Sequence, residues 1–519
     1  MRFLKECYHK SLIYSLLNKV KRFFKDSYLF GKNIDEHKTK DPLSYSTNVN
    51  TWGIYKFFRR IDLFFNRIEK KIFRGIINSS LVDKMLTEKK PRRKKENNVF
   101  LDNSFVVKKI KEILNLIKLE DFLILIPTSY LILDFIFRDL FPMKEFGKIW
   151  DEILFILMLL AFIIKRIKNN GELKYKFTPM DLPILIFTGM GIVHVFLVSP
   201  DLKIAVQGFR VVFQYIMWYF LFTQFINNYN KSNKVINFLI IIGLILGIHS
   251  IFQYVIGVEM PATWIDITES IKTRAYSIVG SPNILGSIFV LLIPISISKT
   301  IVTKKTKTKI FYFITSLVMC LGIVLTFSRG AWLSLAVSLF ALIVLINIKY
   351  IYYFIVGVSL FVLYGGTFSQ RLLFMLSPTY LISSAKGGRI YRWLDGIKIW
   401  GENKFLGLGL GRFGGAIATQ NNLTPYYMDN YYLKTMLEMG IYGLSGLILL
   451  VMYYIHFALK IIRYQITKEN KIIVIGAFAG TVGILFQNFF ENVFEVPVMV
   501  VYFWLFVAII NSFAPESEK

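Results

Sequence analysis

The chain is poor in the groups that build most soluble catalytic centres. It has two cysteines and five histidines in 519 residues. Cys7 lies in a basic stretch and Cys320 in an apolar run, so they cannot form a disulfide framework. His9 and His37 fall near the N-terminus, and His194, His249 and His456 are scattered among apolar segments without metal-ligand spacing. There is no zinc motif, no Walker loop and no carboxylate cluster of the kind that holds a divalent ion. The sequence therefore predicts no metal site. Acids are scarce as well, with 34 Asp and Glu against 62 Lys and Arg and a formal net charge of +28. An excess of that size raises nucleic acid as a partner, but no recognition motif accompanies it. A basic flank beside membrane spans has a simpler cause, because Lys and Arg stay on the cytoplasmic side and meet anionic lipid there. The N-terminus lacks a short apolar core with a small-residue cleavage site, so no cleaved signal peptide is expected before the first span.

What is present is apolar sequence in blocks. Hydrophobic residues make up 54% of the chain, above the about 45–50% usual for soluble proteins. They gather in runs of about 17 to 25 residues, the length that crosses a hydrocarbon core. Twelve spans are expected, at 122–140, 149–165, 181–199, 204–226, 235–257, 284–301, 309–327, 331–348, 350–364, 436–461, 471–489 and 494–512. The expected fold is all-α, a polytopic membrane bundle over 121–512. Lys165, Arg166, Lys231, Lys234, Lys304, Lys305, Lys349, Lys460 and Arg463 fall in alternate connections, whereas the other connections are poor in cations. That pattern places both termini in the cytoplasm of a multi-pass protein of the cytoplasmic (inner) membrane. Two longer segments, 258–283 and 365–435, then face outward. The second separates the ninth and tenth spans and is a natural place for chemistry on a rigid scaffold.

Residues 1–120 form a separate basic cytoplasmic region, with 28 Lys and Arg against 13 Asp and Glu. Within it, apolar residues from Ile54 to Ile76 recur at three- and four-residue steps, with Lys56, Arg59, Arg60, Arg67 and Lys70 between them. This is an amphipathic helix over 54–76, lying on the membrane or packed on other cytoplasmic helices.

Several polar residues stand where apolar ones would be cheaper. Arg210 lies in the fourth span, roughly 10 Å below the outer surface at the rise of a helix. A charge there is a functional-site hypothesis by default, against snorkelling or a structural pair with an acid such as Asp134. Gln214 extends its polar stripe. Arg274 precedes the run SPNILG, whose Asn283 stands at the start of the sixth span. The run TFSRGAW puts Arg329 on a tight turn, as an interface anchor or a part of the site. In GGRIYRWLDGIKIW, Arg389 and Arg392 share one face of a predicted helix and suit a phosphate, with Trp393 and Ile397 on the packing side. A solvated basic face is the alternative. The run GLGLGRFGG lacks the strand–helix setting of a dinucleotide loop and points to close backbone packing or approach to a ligand. Asp429 and Asn430 sit just before the tenth span, where they can cap the helix or, for Asp429, serve as a general base near several cations. Glu438, Glu491 and Glu495 are further acids on that side.

Over residues 122–512 these runs together resemble the O-antigen ligase and polymerase superfamily. TRAYSIVGSPNILG is similar to that family's Pro-Asn segment, TFSRGAW to its Ser-Arg-Gly turn, and GGRIYRW followed by GLGLGRFGG to the start of its large loop. Asn430, Gly440 and Gly443 fit the ligase signature, although Asp429 stands where the ligases carry histidine. The resemblance implies transfer of a glycan, without metal or other cofactor, from an undecaprenyl diphosphate carrier to a glycan or lipid acceptor on the outer face of the membrane. It implies that Arg210, Arg329, Arg389 and Arg392 bind the diphosphate and stabilise the leaving group. Arg274, Asn283 and Asn430 would join them at the substrate, and Asp429 would orient or deprotonate the acceptor. Two rivals come from other classes: a transporter or flippase of lipid-linked oligosaccharides, and a membrane anchor that recruits partners through its basic N-terminal region.

Overall fold

A computed structural model describes residues 119–140, 146–168, 175–261, 273–465 and 467–514. The basic region expected at 1–120 lies outside these residues apart from its last two, and so does its helix at 54–76. Among the described residues the secondary structure is helical, with no strand. The chain begins with α1 (Leu119–Thr128), α2 (Tyr130–Phe135), α3 (Phe146–Lys168) and α4 (Asp181–Val193). It continues with α5 (Leu202–Phe213), α6 (Trp218–Phe225), α7 (Tyr229–Ile256), α8 (Pro282–Val302), α9 (Thr306–Leu325), α10 (Arg329–Asn347) and α11 (Ile351–Tyr364). Four short helices follow, α12 (Thr367–Phe374), α13 (Pro378–Gly387), α14 (Arg389–Trp400) and α15 (Ala416–Gln420). The last three are α16 (Tyr431–Tyr464), α17 (Lys468–Gln487) and α18 (Pro497–Ser512).

Among the described residues, eight helical segments are long and apolar enough to cross a membrane, and α18 is a shorter apolar helix. The segment Arg329–Tyr364 counts as one of the eight, yet it is a hairpin. Asn347 is extended, and Trp332 meets Phe361 as Phe340 meets Phe354, which runs α10 and α11 antiparallel. The stretches expected at 122–140 and 149–165 are helical but not among the eight.

The starts of these helices are written locally. Ser281 caps α8 by accepting from Ile284 N, and Pro282 follows at the first turn, where its missing N–H costs nothing. Asn228 and Thr467 cap α7 and α17 in the same way. The bundle then buries apolar faces against one another. In α8 83% of the span is buried, against 33% for α9, so α8 is central and α9 peripheral. Small residues let the central helices approach: a Cβ on Gly480 of α17 would stand 2.4 Å from Leu291 O of α8. Ser338 of α10 donates across to Ala479 O at 2.7 Å.

The turns sort to two ends. At one, Lys304 lies 3.8 Å from Glu469, Lys299 donates to Asn233, and Gln465 donates to Phe513 O. The cation-rich turns gather here, as expected of one membrane side. At the other, Ala275 N donates to Leu325 O and Tyr431 N to Asn488 O, and the segment between α11 and α16 covers this end. That segment holds four short helices where a long loop was expected.

Candidate active site

At the covered end lies a polar cavity of about 320 Å³. Five arginines line it: Arg274, Arg329, Arg371, Arg389 and Arg392. Asp429 is the one carboxylate among the lining residues.

Each arginine is held by a different element. Arg389 and Arg392 stand three residues apart on α14, so they share a face, and both turn to Asp429. Arg392 Nη1 is 2.7 Å from Asp429 Oδ2, and Arg389 Nε is 3.7 Å from the same oxygen. Arg392 also lies over the ring of Tyr426, whose hydroxyl donates to Asp395 at 2.5 Å. The opposite face of α14 packs. Trp393 donates to Met428 O at 3.2 Å, and Gly396 is buried where a Cβ would meet Met428 and Leu437. Ile397 is not on that face as expected but 45% exposed, because the close approach runs through Gly396 instead.

Arg329 opens α10 after a turn built from within. Thr326 Oγ1 and Trp332 Nε1 both donate to Ile323 O, and Phe327 takes a left-handed φ of 51°. The turn is rigid, and Arg329 reaches over the Tyr380 ring at 4.9 Å. Arg274 is fixed by two acceptors, Thr326 O at 2.9 Å and Asn283 Oδ1 at 3.2 Å. Burial, then the nearby charge of Arg329, push its pKa down to about 10. Asn283 in turn donates to Glu491 Oε2 at 2.6 Å. Glu491 lies behind the cavity wall, and burial followed by the charge of Asp429 pushes its carboxyl up to about 7.

Asp429 owes its position to the backbone. It takes φ 50°, a left-handed conformation that Asp tolerates better than bulkier residues. The next residue, Asn430, is buried and accepts from Leu433 N at 3.0 Å, so it caps α16. Ten residues on, Gly440 breaks α16 with φ 64°. The glycine-rich run fills that break. Leu408 N and Gly409 N donate to Leu437 O and Glu438 O, while Ile441 N and Tyr442 N donate to Lys404 O and Phe405 O. The backbone groups freed by the break are thus paired. A Cβ at Gly440 would lie 2.1 Å from Phe405 O, and one at Gly407 2.6 Å from Glu438 C. The run GLGLGRFGG therefore packs backbone on backbone. Beneath it Lys434 joins Glu438 at 2.6 Å and Glu495 at 3.1 Å, all three side chains buried.

The structure brings together Arg274, Asn283, Arg329, Arg389, Arg392 and Asp429. It does not bring Arg210 to them. Arg210 pairs with Glu152, and it donates to Lys148 O at 3.0 Å and Gln214 Oε1 at 3.1 Å. The reason is the helix phase: Gly208 faces the loop at Gly411, and Arg210, two residues on, turns towards α3. Asn430 is also absent from the lining, because its side chain is used as a cap. Asp134, weighed as a partner for Arg210, pairs instead with Arg138 at 2.5 Å. Sequence reading missed Arg371 and Tyr380. They lie on short helices with no strong periodic pattern, and the signal that could have found them is the pair of diglycines at 365–366 and 387–388 that brackets their segment.

Among curated proteins none matches the chain. A family model does: residues 314–448 match the one described as O-Antigen ligase, a stretch that contains Arg329, Arg371, Arg389, Arg392, Asp429 and the helix break at Gly440. Over that stretch the chain is similar to the O-antigen ligase family.

Proposed function

We propose that the chain is a membrane glycosyltransferase of ligase or polymerase type, acting on a glycan carried by undecaprenyl diphosphate at the outer face of the cytoplasmic membrane. One observation carries this reading: five guanidinium groups and a single lining carboxylate share one cavity at the covered end of a membrane bundle. A disubstituted diphosphate keeps one ionised oxygen on each phosphorus. Guanidinium forks match those oxygens and remain charged at any working pH. Both termini and the cation-rich turns are then cytoplasmic, and the cavity faces outward.

In this reading the acceptor hydroxyl oxygen attacks the anomeric carbon of the donor sugar. The bond from that carbon to the diphosphate oxygen breaks, and its electron pair leaves with the carrier. Asp429 orients the hydroxyl and takes its proton. Arg389 and Arg392 hold Asp429 in place and stand with Arg274 and Arg329 around the charge that develops on the leaving group, where preorganised donors count most. The carrier tail stays in lipid, and the twelve expected spans would frame its sideways entry.

The test uses purified protein in nanodiscs with a lipid-diphosphate glycan and an acceptor glycan, and no nucleotide sugar. Released undecaprenyl diphosphate, lost in Arg389→Ala, is the expected result. Intact donor moved from one leaflet to the other, with no release, would instead identify a flippase.

A further inference from the structure

Five cations line one cavity, and one of them stands on a separate piece of chain. Residues 367–387 carry Arg371, Tyr380, Ser383 and Ser384 into the cavity wall. The segment is α12 and α13, and its main packing partners are α11 before it and α14 after it. Among its described side chains only Ser369 and Ser384 are buried. Leu373, Leu376, Leu381 and Ile382 are all exposed. A segment with so few buried apolar contacts opens at low free-energy cost.

Its ends are built to bend. Gly365 and Gly366 precede it, and Gly366 takes φ 56° and ψ −130°, a conformation open to glycine alone. Gly387 and Gly388 follow it, and space around Gly387 is open. Phe368 stacks on Phe327 at 5.1 Å and pins the first hinge to the Arg329 turn. Beyond that pin, Leu372 packs on the core, and two cation–ring contacts reach the body. Tyr380 takes the Arg329 guanidinium, and Arg371 lies over Phe327 at 5.8 Å.

We infer that residues 366–387 are a lid, hinged at the two glycine pairs, that closes on the donor diphosphate and brings Arg371 onto it as a binding residue. The inference rests on the donor assigned above. Its driving force is electrostatic. Without an anion, closure presses Arg371 towards Arg274, Arg329, Arg389 and Arg392, with Asp429 the one lining carboxylate to offset them. A doubly charged diphosphate between them turns that repulsion into attraction, so the ligand binds the closed state more tightly than the open one. Differential affinity of this kind is what moves a two-state equilibrium. Closure also excludes water from a glycosyl transfer that water would otherwise intercept.

Lys386 is exposed near the second hinge and offers a cleavage site for trypsin. The full chain in nanodiscs is digested with and without undecaprenyl diphosphate, and the new terminus at Gly387 is followed by mass spectrometry, with binding measured separately by calorimetry. Undecaprenyl diphosphate should slow that cut by about tenfold or more, because cleavage tracks the open population. In Arg371→Ala the lipid should still bind and the protection should fall below about twofold, with Arg371→Lys recovering part of it. Binding with no change at Lys386 overturns the lid and leaves the donor reading standing. Equal protection in Arg371→Ala overturns the role of Arg371. Failure of the lipid to bind at all overturns the donor reading and the lid with it.

Discussion

Two charge clusters share the covered end of the bundle, and they are built on opposite plans. In the buried cluster one ammonium, Lys434, meets two carboxylates, Glu438 and Glu495, and every side chain is at most 6% exposed. The remaining oxygens are used: Phe413 N donates to Glu438, and Asn492 donates to Glu495. In the cavity five guanidiniums face one lining carboxylate, and Arg389, Arg392 and Asp429 keep 27%, 29% and 19% of their side chains exposed. A sealed and internally matched cluster is a fastener. An open cluster with surplus charge of one sign is suited to hold an anion. The fastener holds the glycine-rich run and the first turns of α16, and those hold Asp429, so the two plans serve one end.

The comparison breaks most easily at Lys434. Lys434→Met would leave two carboxylates buried without their cation, a change that should cost about 3–5 kcal/mol. Thermal unfolding in detergent measures it. If Lys434→Met melts like the wild type and loses only transfer, the assignment of fastener and site is reversed. The complementary change is Arg389→Ala. It relieves repulsion among cations, so unfolding should shift little, while transfer falls by about 10²–10³, the effect of removing one preorganised donor. A loss of stability as large as that of Lys434→Met would show Arg389 to be structural.

The sequence disclosed the cations of the cavity but not their enclosure. Arg389 and Arg392 were legible because helical spacing alone puts them on one face. The Arg329 turn was legible because Ser, Arg and Gly interrupt two apolar runs. The place of Arg210 was not legible, because a charge in an apolar span looks alike whether it faces a site or a neighbour, and its partner, Glu152, lies 58 residues away. The fold was legible as apolar blocks, and the hairpin at 347 follows from the block lengths. What could not be read was the break at Gly440. A glycine within an apolar helix carries no sign that a loop 31 residues earlier will pair with the backbone it frees, as Gly409 N does to Glu438 O. Local sequence states propensity, whereas those pairings are long-range.

A weaker test of the contrast lies behind the cavity wall, at Glu491. Its charged neighbours are Asp429, Arg389 and Arg274. Its pKa is raised to about 7 from an ordinary value of 4.5. The folded state therefore holds this proton more tightly than the unfolded chain does, and stability falls as pH rises from the unfolded value through the folded one. Ionisation also subtracts one positive charge from the cavity's surroundings. Donor affinity should weaken by about tenfold or more between pH 6 and pH 8, the order of effect that one added negative charge near a dianion has at an effective dielectric of about 20. Glu491→Gln keeps an acceptor for Asn283 and stays neutral, so it should hold the low-pH affinity throughout. Calorimetry of undecaprenyl diphosphate binding at both pH values decides this, and an unchanged pH profile in Glu491→Gln would remove Glu491 from the site.

The smallest effect is expected at Arg210, and it sharpens the boundary between the two plans. Arg210 and Glu152 form a matched pair, like the fastener, but with 44% and 27% of their side chains exposed. Matched pairs that open are worth little, about 0–1 kcal/mol where water reaches them. Arg210→Gln should therefore lower transfer no more than a few-fold, and the charge swap Arg210→Glu with Glu152→Arg should restore what is lost, because the pair needs opposite signs rather than a cation at one position. A cation that bound the donor would behave otherwise. The swap would then be as damaging as Arg389→Ala, and the surplus of positive charge that defines the cavity would have to extend past the lining residues to α5.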